Sequence, residues 1–461
     1  MIMKTIYNKL LLFIVIVTSV HSSCKSFLDI DPPKDSATPN EMFANDATAT
    51  SAITGIYNRM GLSGAFSGNQ NSISVLCGLS ADELRSYSSS LDVFYKNDLP
   101  TTNTTIETRL WQEPYAYIYT ANAVLDGLKS AQGVSAKTKS QLEGEAKFVR
   151  AFCYFYLVNL FGDVPLILIT DYSINQQAGR SSKEDIYTQI ISDLIDAENL
   201  LPSSYITTER VRPNKWTATA LLSRTYLYTQ KWGLAAQKAG EVIDQRTIYN
   251  IVDNLDQVFL KNSNETIWQL MPTAGSNTKE GALFILTTAP TNVALSPDFV
   301  TAFETGDNRK TKWISQFSNS TGTYSYPFKY KIRTTVNGII SEYSMVLRLA
   351  EMYLIRAEAL ANLQQADLAL ADINLIRKRA GLIIPLANLT SAQCLTEIEK
   401  QRRFELFSEW GHRWLDLKRT NRASAILEPI KSSSWNDTDV LYPIPENERA
   451  RNQNIGQNLG Y

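Results

Sequence analysis

At 461 residues, with 44% hydrophobic and 20% charged residues, the chain can bury a large core and is too apolar to be disordered. Lys plus Arg (45) nearly balances Asp plus Glu (46), so no net field favours nucleic acid or an anionic membrane. The 22 Tyr and 8 Trp exceed what a helical core needs and leave rings over for a binding surface.

Lys4 and Lys9 precede an apolar run, Leu10 to Val17, that is too short to span a bilayer and reads as part of an export leader over residues 1–23. Ser22 and Ser23 precede Cys24, an arrangement that resembles a bacterial lipobox, although His21 stands where Leu is usual. Cys24 is therefore the expected lipidation site. No later stretch is long and apolar enough for a transmembrane helix. Residues 24–40 contain Pro32 and Pro33 and read as an extended tether. Cys77, Cys153 and Cys394 are odd in number and lack CxxC spacing, which argues against a disulfide framework or a zinc site.

Asn40 reads as the N-cap of a helix through about Asn58. Residues 61–105 are Gly-, Ser- and Asn-rich and polar, a long loop region of the kind that often carries function. Glu145 to Phe161 is apolar nearly all round and predicts a buried helix, stopped by Gly162-Asp163-Val164-Pro165. Ser182 and Asp185 predict a capped helix running to Leu201. Two segments, 215–244 and 345–380, read as helix–turn–helix pairs of the tetratricopeptide (TPR) type, turning at Gln230-Lys231-Trp232 and at Gln364-Gln365. Between them, 264–330 reads as an inserted region of short strands and loops. Glu405, Glu409 and Arg413 are spaced to share one helix face in a structural role. The predicted architecture is mainly α, a single domain over 41–461.

Several separated blocks resemble the SusD/RagB family of outer-membrane lipoproteins. They are Cys24 with Phe27-Leu28-Asp29; Glu145 to Ala151 running through Tyr154 to Phe161–Leu166; Arg348 to Ala359 with Asn374, Arg377 and Arg379–Gly381; Arg402 to Leu406 with Gly411 to Arg419; and Leu441–Pro445 with Gln457–Tyr461. Gln401, Trp410 and Leu459 depart from the family pattern. The resemblance implies a non-catalytic, lipid-anchored protein on the outer face of the outer membrane. Such a protein captures oligo- or polysaccharide and passes it to a SusC-like TonB-dependent transporter. The resemblance also implies that the TPR-like helices face that transporter while inserted loops carry the ligand, with no cofactor.

Family ligand residues vary, so the ligand-binding candidates come from local chemistry. A sugar offers an apolar C–H face and a fringe of hydroxyls, which call for aromatic platforms beside amides and charged groups. One segment supplies Asn69, Asn71, Asp82, Arg85, Tyr87, Tyr95 and Asn97; the other supplies Asn277, Trp313 and Tyr324. Trp111 and Trp268 read as packing residues, and Asp307 with Arg309 as scaffold. An enzyme would need a placed pair of carboxylates. Asp82 with Glu83 and Glu304 with Asp307 are close in sequence, but such neighbours are common, and His412 is the only histidine after the leader. The alternatives are the same architecture binding peptides, or a periplasmic TPR scaffold that binds proteins.

Overall fold

The computed structural model describes residue 3 and residues 39–461, except 63, 273–275, 336, 432 and 433. Cys24 and the tether through Thr38 lie outside the described residues. Among the described residues no helix is long and apolar enough to cross a membrane.

The first long helix, α1 (Asp46–Leu62), starts later than the sequence suggests. Its first turn is capped by Asn45, whose Oδ1 accepts from the amides of Ala47 and Thr48. Asn40 instead lies inside a separate turn, Pro39–Met42. Helices α2 (Ile73–Ser80) and α3 (Ser89–Lys96) break the loop region 61–105 into pieces. The frame then builds up from α4 (Glu113–Ser130), α5 (Ala136–Phe161) and α6 (Lys183–Leu200). It continues through α7 (Lys215–Tyr228), α8 (Trp232–Ile243), α9 (Leu349–Asn362), α10 (Ala366–Arg379) and α11 (Ser391–Glu405), and ends with α12 (His412–Arg419). From α4 to α10 each helix packs on the next, and α11 packs on both α9 and α10, giving a TPR-like stacking of helix pairs.

The sequence explains this order. Ser182 Oγ accepts from the Asp185 amide at the start of α6, and Gly162, at φ +73°, ends α5. Gln230 (φ +55°) and Gln364 (φ +62°) take the left-handed conformation at the two corresponding turns. Buried bidentate pairs tie helix to helix: Arg150 on α5 to Asp193 on α6, Arg224 on α7 to Glu351 on α9, and Arg402 on α11 to Asp416 on α12. Helix α5 is the hub of the core. Its Phe148 and Phe152 meet the edge of Trp268 at 5.0 and 5.2 Å between ring centroids, while Phe66 and Trp410 close the cluster.

Among the described residues eight short strands form four antiparallel pairs: β1 (Leu84–Ser86) with β5 (Val293–Leu295), β2 (Val164–Pro165) with β3 (Arg180–Ser181), β4 (Thr266–Leu270) with β8 (Ser344–Arg348), and β6 (Ile314–Asn319) with β7 (Gly322–Pro327). Met345 to Arg348, assigned to a helix by the sequence reading, is therefore a strand; α9 begins only at Leu349. The expected single helix through Glu405, Glu409 and Arg413 is also interrupted. Ser408 (φ +56°), Trp410 (φ +47°) and Gly411 (φ +72°) turn the chain between α11 and α12. At Gly411 any side chain would strike Cys77, whose Cβ lies 2.9 Å from where a Cβ would stand. The turn brings Glu405 and Glu409 to the same arginine, Arg348, and sends Arg413 elsewhere.

Candidate functional site

Pairing of β1 with β5 sets Arg85 opposite Ala294, and the Tyr87 amide extends the ladder by donating to the Asn292 carbonyl at 2.8 Å. Alternation along β1 puts Arg85 and Tyr87 on one face, together with their cross-strand neighbours Ala294 and Asn292. The β6–β7 hairpin lies beside β5 and presents Tyr324. The Tyr87 and Tyr324 rings meet edge to face, with centroids 5.7 Å apart and planes at 83°. Tyr324 is held in place by its hydroxyl, 3.0 Å from Thr321 Oγ1, and Phe317 is its cross-strand partner on the same face. Tyr87 keeps 41% of its surface exposed. Partial burial raises its phenol pKa, with Arg85 opposing and Tyr324 and Tyr95 adding to the shift. Two distant segments thus make a single aromatic face carrying an arginine and an amide.

Of the residues singled out from sequence, Arg85, Tyr87 and Tyr324 form this face, and half-buried Tyr95 lies close enough to act on Tyr87. Asn69 and Asn71 are half-buried in their own turn, where Asn69 Oδ1 accepts from the Asn71 amide at 2.7 Å. No described hydrogen bond joins them to the tyrosines.

Four candidates are inside the fold. Asp82 is clamped by Arg413 at 2.7 Å and Arg403 at 2.8 Å. Burial works against its ionised form, but the two arginines outweigh it and hold the carboxyl below its usual range. Asn97 caps α3 in the left-handed conformation and accepts from the buried Lys431 ammonium at 2.7 Å. Asn277 is buried and donates to the Ile332 carbonyl at 3.1 Å. Trp313 is completely buried, its indole donating to the Leu255 carbonyl at 2.9 Å. All four are buried and bonded to groups of the protein itself, which withdraws them from the surface, although Asn97 Nδ2 and Asn277 Oδ1 have no partner among the described residues.

Sequence reasoning missed Asn292 and Phe317. Alternation in residues 314–319 was a signal for Phe317; nothing local marks Asn292, which is placed by pairing with Tyr87.

The carboxylates considered for catalysis are also occupied. Glu304 is paired with Arg377 at 3.0 Å and Lys400 at 2.7 Å; the Arg377 bonds, opposed by burial, bring its pKa down to about 2. Asp307 is buried on Arg309 at 2.7 Å, as expected of scaffold. Glu83 is buried beside Asp82, and its Oε2 accepts only from the Ser408 amide at 3.2 Å. Burial first, then the Asp82 charge, raises its pKa to about 8. Folded Glu83 therefore holds a proton that the unfolded chain has lost above about pH 4.5. That contribution to stability is full below pH 4.5 and is lost as pH rises through about 8. Glu83→Gln removes the titration, so the variant should gain roughly 1–3 kcal/mol on the parent at high pH relative to low pH. Urea midpoints of both proteins at pH 5 and pH 9 measure this; a difference independent of pH contradicts it.

Among the described residues no group of three or more His, Cys, Asp or Glu is arranged to hold a metal ion. The remaining cysteines, Cys77, Cys153 and Cys394, are all free and buried.

A stack of TPR-like helix pairs displaying a strand-borne aromatic face is the architecture of a helical-scaffold binding protein. A family profile described as starch-binding and associating with the outer membrane matches residues 26–227, and one described as the SusD family matches residues 275–461. The chain belongs to the SusD/RagB family. A SusD-like protein of Formosa agariphila is 22% identical over 526 aligned positions that cover 100% of both chains. Another from that organism is 26% identical over 280 residues, 54% of this chain and 49% of that one, so the chain matches about half that relative's length. The starch-binding protein SusD of Bacteroides thetaiotaomicron is 34% identical over 123 residues, 25% of this chain and 21% of that protein. Among solved structures, a laminarin-binding SusD-like protein superposes with a TM-score of 0.78 at 25% identity, covering 90% of this chain and 100% of that one. A SusD superfamily protein of Bacteroides vulgatus superposes equally well, with a TM-score of 0.78 at 20% identity, covering 91% and 100%.

Proposed function

We propose that this protein is a non-catalytic, cell-surface glycan-binding lipoprotein that captures oligo- or polysaccharide and hands it to a SusC-like TonB-dependent transporter of the outer membrane. The observation that carries this reading is the pairing of exposed Tyr87 with half-buried Tyr324, flanked by Arg85 and Asn292. Tyrosine rings set edge to face give an apolar platform for the C–H face of a sugar, and their hydroxyls and the flanking groups reach its hydroxyl fringe. The likeness to a laminarin-binding relative supports glycan as the cargo. The burial of Asp82 and Glu83 and the pairing of Glu304 with Arg377 and Lys400 support a role without chemistry, because they keep these carboxylates from a bound sugar. The leader and Cys24 support anchoring by lipid at the membrane surface.

Calorimetric titration against purified glycans and peptides tests the reading. One glycan class should bind without release of shortened chains, and Tyr87→Ala and Tyr324→Ala should each weaken that binding about tenfold or more with unchanged thermal stability. Binding to peptides alone, release of products, or silence across all glycans would overturn it. Protease access on intact cells checks the location: a protected chain contradicts the outer face.

A further inference from the structure

Arginines of the frame are consumed by carboxylates. Arg150, Arg224, Arg356, Arg402 and Arg413 each meet one at 2.6–2.7 Å. Arg85 does not follow this pattern. It is exposed on β1, and no carboxylate among the described residues lies within ion-pairing distance of it. It shares its face with Tyr87 and Asn292, and opposite it stands only the small side chain of Ala294. The groups whose charge acts on Tyr87 are Arg85, Tyr324 and Tyr95, none of them a carboxylate. Arg85 is thus a cation without a carboxylate partner beside the tyrosine edge, on a protein whose net charge is −1.

A guanidinium is a planar fork of donors that matches a carboxylate or a sulfate ester with two parallel hydrogen bonds. A neutral sugar uses that fork poorly, since each hydroxyl takes one bond and offsets little of the cost of drying the cation. We propose that this face recognises an anionic glycan, one bearing uronate carboxylates or sulfate esters, with Arg85 on the anion and the Tyr87–Tyr324 pair under the adjoining ring. This rests on the reading of the face as a glycan site. It goes further by assigning Arg85 the choice between charged and neutral chains. The two anion types share the same recognition chemistry and are separated by the choice of probe.

The test titrates the protein with three oligosaccharides of similar length, an oligogalacturonate, a sulfated galactan and a neutral laminarin fragment, at low and high salt. Parent, Arg85→Gln, Arg85→Lys and Tyr324→Ala are compared. One of the two anionic probes should bind more tightly than the neutral one, and its affinity should fall as salt rises. Arg85→Gln should lose about ten- to a hundredfold for the anionic probe and less than about threefold for the neutral one. Arg85→Lys should recover only part, because a point charge lacks the fork. Tyr324→Ala should weaken every probe. Preferential binding of laminarin, or an Arg85→Gln variant that binds the anionic probe like the parent, overturns the anionic assignment and leaves the glycan site standing. Absence of binding to all three overturns the anionic assignment alone, whereas a Tyr324→Ala variant indistinguishable from a binding parent overturns both.

Discussion

Replacing Arg348 by alanine should lower folding stability by about 3–5 kcal/mol, the usual cost of removing one partner from a buried ionic network. Arg348 ends β8 and reaches four groups at once. Its Nη1 donates to Glu405 at 2.6 Å and lies 3.5 Å from Glu265, its Nε donates to Glu409 at 2.8 Å, and its Nη2 donates to the Glu405 carbonyl at 2.7 Å. Arg309 with its partner Asp307, Arg379 and Lys329 complete the network, so four cations face four carboxylates and the balance needs every member. Loss of one cation leaves carboxylates without water and without full compensation. Chemical denaturation of Arg348→Ala measures the effect, and Arg348→Met with Glu409→Gln should recover part of it, since that pair removes a charge of each sign. A loss below about 1 kcal/mol would show that water enters the network and that the burial argument fails.

Trp313→Ala should cost a similar 3–5 kcal/mol through the cavity it leaves. Lys329 Nζ sits 4.9 Å from the ring centroid, and the guanidinium carbons of Arg379 and Arg348 lie 5.3 and 5.9 Å from it. Phe259 meets its edge at 5.6 Å. The indole thus lids the same cations that the carboxylates neutralise, and cation–π attraction adds to packing where the charges are dry. Trp313→Phe keeps a ring and loses the bond to Leu255, so about 1–2 kcal/mol is expected from unfolding curves. Glycan titration of Trp313→Phe should match the parent. Weakened binding in this variant would return Trp313 to the ligand surface where the sequence placed it.

The helical frame was legible because its information is local. The all-apolar run to Phe161, its stop at Gly162, and the Lys215–Tyr228 helix follow from periodicity and capping alone. Met345 to Arg348 was not, since a short apolar run reads equally as strand or helix until its partner Thr266–Leu270 decides. The break between α11 and α12 rests on positive φ at Ser408 and Trp410, residue types that give no warning of it. Trp313 misled because its neighbours are polar and loop-like while the cations that enclose it come from distant segments. At the candidate face, composition picked out Arg85, Tyr87 and Tyr324 from two separate segments. Their meeting is a tertiary fact, made by the β1–β5 ladder and the hairpin beside it.

The clamp between Asp82 and Arg413, 331 positions apart, and the contact of Ser80 with Tyr442, 362 apart, also set the order in which the protein can mature. As the chain emerges amino end first, the segment around α2 stands without these partners until residues 331 and 362 positions further on have followed. Until then Asp82 has no counter-ion from α12, and the apolar faces around Cys77 stand open to other chains. Helix pairs in the middle of the chain can close as they emerge, whereas the two ends can be sealed only together and last. Truncations at the carboxy end should therefore be felt first at residues 73–86, as lost protection from hydrogen exchange, before the central helices loosen.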